Sequence, residues 1–213
     1  MRFISLSYFM EYNKLAAPEI IAKTTAALKE RNILAQLVAD KIEALEAVKK
    51  LLPDGAEIMT GGSTTLEQIG FVDLLKTGAH PWQSFKDKIF AEKDPAKQGR
   101  LRQESCLAEY YLGSVHAVTE DGEILVASNT GSQLPAYVFT SNNVIWIVGA
   151  QKIVSNREEG FQRVYDYVLP LEDRRVKSTG GSGSFVSKLL LFEREVMPNR
   201  KINLIFVNEV LGF

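Results

Sequence analysis

The chain has 213 residues, 46% of them hydrophobic, which suits one globular domain or one domain with a small appendage. Its 25 basic and 26 acidic side chains leave a formal net charge of −1, a balance that gives no electrostatic footprint for nucleic acid or an anionic membrane. One cysteine, Cys106, and two histidines, His80 and His116, exclude an internal disulfide and supply too few soft ligands for a zinc or iron–sulfur centre, so no metal or cofactor is expected.

The opening "MRFISLSYFMEYNK" acquires Glu11 and Lys14 too early for a secretory signal. Runs such as "VIWIVGA" fall far below the ~20 apolar residues of a spanning helix. A soluble chain of the reducing cytoplasm is expected. Pro18 opens a helix, with Ile20, Ile21, Thr24, Ala27 and Leu28 at helical spacing and Asn32 as its stop. "ILAQLVA" is a strand. Asp40 and Glu43 form a capping box for a helix through Leu52, and Pro53, Asp54 and Gly55 make a turn. "AEIMT" is a buried strand that ends at Gly61 and Gly62. A helix follows from Thr64, broken near Gly70 and closed at Gly78. Residues 78–93 read as an irregular excursion. Asp94 and Pro95 start a helix predicted to run through Leu101, Cys106, Leu107 and Tyr110 to Gly113. "VHAVTEDGEILVAS" is a hairpin around Glu120, Asp121 and Gly122. "LPAYVFT" is a short helix and "NNVIWIVGA" a strand buried on both faces. A helix capped at residues 155–159 ends near Tyr167, "KSTGGSGS" is a loop, and residues 189–192 and 202–207 are strands.

Helices that alternate with buried apolar strands predict an α/β fold, with a largely parallel sheet flanked by helices and an inserted antiparallel hairpin. Residues 1–17 read as an N-terminal extension and 18–213 as one domain. Ligands in such sheets bind beyond the carboxyl ends of the strands. Polar loops 61–65, 128–133 and 149–152 follow strands directly, so they are candidates to converge at one edge.

The first candidate site is the turn Gly61, Gly62, Ser63, Thr64 and Thr65. Glycines after a strand leave room for a ligand oxygen and can take positive φ. The amides that open the next helix are unpaired, and the hydroxyls add donors. The same residues also serve as an N-capped connector. Asn129, Thr130, Gly131, Ser132 and Gln133 form a second polar turn, which also reads as a capped turn. Lys152 ends the most buried strand and can reach an anion over the sheet edge. Glu109 and Glu104 lie among apolar neighbours near a predicted helix end, where a carboxylate can act as acid or base. His116 and Cys106 read as packing or hydrogen-bonded residues.

"TGGSTTLEQIG", "AEYYLGSVHAVTEDGEILVASNTGSQLPAY", "VIWIVGAQKIVSNREEGFQRV" and "NLIFVNEVLGF" together resemble the lactate-utilization (LUD) domain family, from about Pro18 to Phe213. The resemblance implies the sugar-phosphate isomerase and coenzyme A transferase-like (NagB/RpiA) superfamily, an α/β fold. Its ribose-5-phosphate isomerases carry a similar Gly-Ser-Thr loop that binds substrate phosphate. The resemblance further implies a role in oxidation of lactate to pyruvate, beside iron–sulfur proteins; with the glycine turn as an anion site, the first reading is an accessory or small-anion-binding subunit. This chain reads "KSTGGSGSFVSK" where some members carry a cysteine cluster, and "NTGSQL" where many have Gly-Asn-Arg. It therefore lacks that cluster and that arginine clamp. Two further readings stay open. One is a free-standing enzyme acting on a sugar phosphate or acyl-coenzyme A through Glu109. The other is a ligand-free scaffold for iron–sulfur partners. The sequence leaves homo-oligomerisation open.

Overall fold

A computed structural model describes residues 12–213, so the reading of the first eleven residues as no secretory signal lies outside it. Six strands form one parallel sheet. In chain order they are β1 (Ile33–Val38), β2 (Glu57–Thr60), β3 (Gln83–Ser84), β4 (Tyr110–Gly113), β7 (Asn143–Gly149) and β10 (Lys201–Val207). Their spatial order is β1-β10-β7-β4-β2-β3. A second sheet takes the hairpin strands β5 (Ala117–Thr119) and β6 (Ile124–Ser128), flanked by β8 (Ile153–Val154) and β9 (Lys188–Phe192), in the order β8-β5-β6-β9. The expected α/β class is what the structure shows, and the hairpin belongs to this separate, mostly antiparallel layer.

β7 explains how the layers assemble. Its side chains alternate between faces, as a strand requires. Val144, Trp146 and Val148 join the core between the two sheets. Ile145 and Ile147 join the core beneath helices α2 (Lys41–Leu51), α3 (Thr64–Gln68) and α4 (Phe71–Thr77). Helix α1 (Pro18–Glu30) covers the first core through Ile21 and Leu28. The rings of Tyr111, Tyr137, Trp146 and Phe192 meet edge to face in sequence, at centroid separations of 5.5, 5.3 and 5.5 Å. Gly113 makes this chain possible, since a Cβ there would lie 1.9 Å from the Tyr137 hydroxyl. The outer face of the second sheet packs on Val164, Tyr167 and Val168. Those residues lie on one continuous helix, made of α7 (Arg157–Gln162), a π turn over Arg163–Val168 and α8 (Leu169–Ser178). Pro170 cannot donate back to the preceding turn, and the helix widens just ahead of it. Tyr12 is buried against Tyr167, so packing extends ahead of Pro18.

Three local expectations are corrected. Residues 78–93 contain β3 and a helix, α5 (Phe85–Ala91), capped by the Ser84 hydroxyl. The helix at Pro95 is α6 (Pro95–Glu104), and it does not reach Gly113. A single 3-10 turn follows, and Tyr110–Gly113 is instead a central strand paired to both β2 and β7. The helix capped by Asn156 runs on past Tyr167 to Ser178. Among the described residues, no helix is long and apolar enough to cross a membrane.

Candidate functional site

The carboxyl ends of the parallel strands open into a cleft of about 270 Å³. Residues 61–65 follow β2, Ser114, Val115 and His116 follow β4, Lys152 follows β7, and Gly212 and Phe213 follow β10. The second sheet contributes Ser128, Asn129, Thr130, Ser132 and Gln133, and the long helix contributes Val164, Val168, Leu169, Glu172 and Arg175. The structure thus brings the three predicted polar loops together. Gly131 stands behind them: its amide is bonded to Ser128 Oγ at 2.8 Å, and a Cβ there would press on Lys188.

The glycine turn differs from expectation in one respect: neither Gly61 nor Gly62 has a positive φ. What they supply is space. A Cβ on Gly62 would meet nothing within 4 Å, and one on Gly61 would make only ordinary contact with Tyr111. Ser63 caps α3 by accepting the Leu66 amide at 3.3 Å. The Gly61 amide continues the ladder to Leu112. Those of Gly62, Ser63, Thr64 and Thr65 donate to no partner among the described residues. The second turn is more self-contained. Ser128 donates to Gln133 Oε1 at 3.0 Å, and the Thr130 and Ser132 hydroxyls bond each other at 3.2 Å.

Lys152 is the chemical centre of the cleft. It is 2% exposed, and its Nζ donates to Thr65 Oγ1 at 3.3 Å, Ser114 Oγ at 3.0 Å and the Val115 carbonyl at 3.1 Å. No carboxylate pairs with it among the described residues, although lysines are seldom fully buried without a partner. Burial first, and then the Arg163 guanidinium, hold its pKa well below the usual lysine range. His116 Nδ1 accepts the Ala127 amide at 3.0 Å, which leaves the ring proton on Nε2. Burial, Lys152 and Arg163 push the His116 pKa down to about 3, so the ring is neutral at physiological pH. Arg163 is fully buried behind this wall and donates from Nη1 to the His116 carbonyl. Its Nε and Nη2 have no hydrogen-bond partner among the described residues. At the mouth, Arg175 and Glu172 form a two-pronged pair, with both contacts at 2.7 Å. Behind the glycine turn, Lys86 donates to Thr60 Oγ1 at 3.3 Å.

Glu109 is a correction. It is exposed and sits just ahead of β4, where Tyr110 pairs with Ile58. That register puts it level with Glu57, at the amino end of the sheet. The glycine turn lies beyond Thr60, ~10 Å or more away along the strands at 3.3 Å per residue. Glu109 therefore does not share an edge with the cleft. Ser114, Arg163 and Arg175 were not singled out from sequence, and His116 was set aside as a packing or hydrogen-bonded residue. The available signal was Gly113-Ser114 at the end of an apolar "YYLG", which marks a strand end as well as a helix stop.

Fold and cleft define an α/β protein with a polar site at the carboxyl edge of a parallel sheet. The LUD domain matches residues 21–188, and the chain belongs to the LUD domain family, which associates it with lactate utilization. The crystal structure of a DUF162 family protein from Deinococcus radiodurans, at 1.70 Å resolution, is similar with a TM-score of 0.54. The match covers 92% of this chain and 100% of that one at 13% identity, a level that speaks to fold alone. The eIF2B delta structure from Chaetomium thermophilum matches 58% of this chain and 54% of its own, with a TM-score of 0.37 and 13% identity, too slight a likeness to support an argument. No curated protein matches.

Proposed function

We propose that the chain is a small-anion-binding accessory subunit in the oxidation of lactate to pyruvate, acting in the cytoplasm beside iron–sulfur partners. The anion sits on the glycine turn, with Gly62, Ser63, Thr64 and Thr65 offering amides and hydroxyls, and Asn129, Thr130, Ser132 and Gln133 closing the opposite wall. The observation that carries this reading is Lys152, a buried amine that no carboxylate pairs with among the described residues, reaching the same cleft through Thr65. An anion there would bring negative charge to a cleft whose buried nitrogens, Lys152 and Arg163, are paired with no carboxylate among the described residues. Family membership supports the lactate context. With Glu109 exposed at the other edge, acid–base chemistry through that residue has no support.

The test is thermal unfolding with inorganic phosphate, sulfate, lactate and pyruvate. A ligand at a hundred times its Kd adds about 2.7 kcal/mol to the native state. A rise in Tm with at least one of these anions, lost in Lys152→Met, supports the site. Unchanged unfolding with all of them overturns it.

A further inference from the structure

Lys152 has chemistry that an electrostatic anchor does not need. Its Nζ bonds two hydroxyls, Thr65 and Ser114, which bond each other at 3.3 Å. A hydroxyl both donates and accepts, so this triangle satisfies a free amine as readily as an ammonium. Burial, and then the neighbouring Arg163 guanidinium, favour the free amine, the form that is a nucleophile. Over Nζ stands Gly212, where a Cβ would lie 3.1 Å from the nitrogen and 2.3 Å from Thr65 Oγ1. Gly212 is held at a φ of +61°, which favours glycine, and its lack of a side chain leaves room beside the amine, which lines the cleft.

We propose that Lys152 forms a reversible imine with a small α-keto acid whose carboxylate rests on the glycine turn. This rests on the anion-site reading and names its ligand class. The two functional groups of an α-keto acid are on adjacent carbons, so it calls for an anion site and an amine that are neighbours. Thr65 belongs to the turn and touches Nζ directly. The Lys152 nitrogen adds to the keto carbon, and the carbonyl π pair moves to oxygen. That oxygen takes the proton the nitrogen loses, relayed through the Thr65 and Ser114 hydroxyls. The nitrogen lone pair then forms the C=N bond as the carbinolamine C–O bond breaks, and the departing hydroxyl takes the second nitrogen proton and leaves as water. Amine plus ketone gives imine plus water, with no oxidant or reductant. His116, neutral with its proton on Nε2, is placed on the cleft wall to donate a hydrogen bond to the carbinolamine oxygen. Val164 and Val168 offer an apolar wall to the short alkyl end.

The experiment is reductive trapping. The intact chain is incubated with pyruvate and sodium cyanoborohydride at neutral pH, then measured by intact mass and peptide mapping. One reduced pyruvate adduct per chain, on the peptide carrying Lys152, is expected. It should be absent with lactate and absent in Lys152→Met. No adduct, or adducts spread over surface lysines, overturns the proposal. If Lys152→Met does not fold, mapping of the unmodified chain decides alone, because the position of the adduct is the readout. Thermal unfolding with pyruvate separates the two claims. Stabilisation without trapping leaves the anion site standing and removes the imine. No stabilisation by pyruvate, phosphate or sulfate removes both.

Discussion

Arg200, just ahead of β10, and Arg163, on the helix behind the cleft, are both buried guanidinium groups, and their surroundings differ sharply. Arg200 is saturated. Its Nε donates to the Ser141 carbonyl at 3.0 Å, its Nη1 to Val138 at 3.1 Å, and its Nη2 to Ala136 and Tyr137, both at 3.0 Å. It also pairs with Glu195, itself buried, whose carboxylate accepts the Val196 and Met197 amides. The group ties the turn before β7 to the turn before β10. Among the described residues Arg163 has one hydrogen bond, to the His116 carbonyl, with its remaining buried nitrogens unpartnered and its plane near the rings of Tyr12 and Tyr167. Burial pulls its pKa down to about 10. At the amino end of the sheet, positive charge is used up in holding loops. At the carboxyl end it has no carboxylate paired to it among the described residues, and it stands beside Lys152, where it helps set the charge state of a cleft.

The sharpest test of that difference is to remove each arginine. Arg200→Met should cost about 3–5 kcal/mol in urea unfolding, because it strands the buried Glu195 carboxylate and four carbonyls. The folded fraction should keep its response to anions. A variant as stable as the parent would mean that Arg200 is no more structural than Arg163, and the comparison would fail.

The next effect in size is a pH dependence. The unfolded His116 binds a proton near pH 6.5, whereas the native one resists until about pH 3. Between those values the unfolded state holds more protons, so stability falls as pH falls through this window and is unaffected above it. The His116 share of the loss from pH 7 to pH 4 should be about 3 kcal/mol at ~1.36 kcal/mol per unit. Urea midpoints against pH should show a shallower acid limb in His116→Asn, which keeps an acceptor for the Ala127 amide but cannot titrate. Parallel limbs would show that the imidazole is not held neutral.

Arg163→Met should cost less than half of what Arg200→Met does, about 1–2 kcal/mol. It loses one charge-assisted hydrogen bond and the ring contacts, and no ion pair among the described residues. Its larger signature is chemical. Without this neighbouring charge Lys152 holds its proton more firmly, so reductive trapping at neutral pH should slow. An unchanged trapping rate would show that Arg163 does not govern the amine.

How far the sequence reaches depends on whether the signal is local. β7 was legible because seven residues from Asn143 to Gly149 are fully apolar past the first, and the β5–β6 hairpin because Gly122 takes the left-handed conformation that its turn needs. Residues 61–65 and Lys152 were legible as a strand end and a polar loop. β4 was not. Only Ala108 and Glu109 separate it from the 3-10 turn, with no glycine or proline between, so the helical pattern ran on through it. What makes Tyr110–Gly113 a strand is pairing with β2 and β7, which is tertiary. That one misreading displaced Glu109 and hid Ser114. α5 was missed although Ser84, Phe85 and Ile89 carry a cap and a helical spacing. Arg163 and Arg175 could not be found, since a helix does not announce which cleft its face will meet.

The smallest change in stability belongs to the most informative substitution. Gly62→Val adds a branched side chain where the backbone has no positive φ and where a Cβ meets nothing within 4 Å. Nothing packed has to move, so unfolding without ligand should shift by no more than about 0.5 kcal/mol. The same side chain fills the space above the amides of Gly62, Ser63 and Thr64, which an anion must approach to within ~3 Å to bond. Stabilisation by phosphate or pyruvate should therefore disappear, and trapping at Lys152 should fall with it, although Lys152 and its hydroxyl partners are untouched. If ligand stabilisation survives in Gly62→Val, the carboxylate does not rest on this turn, and the turn is only the connector between β2 and α3. If stabilisation is lost but trapping continues unchanged, amine and anion site are separate. The direct contact of Thr65 with Lys152 then has no functional meaning, and the uncompensated charge at the carboxyl end must answer to another ligand.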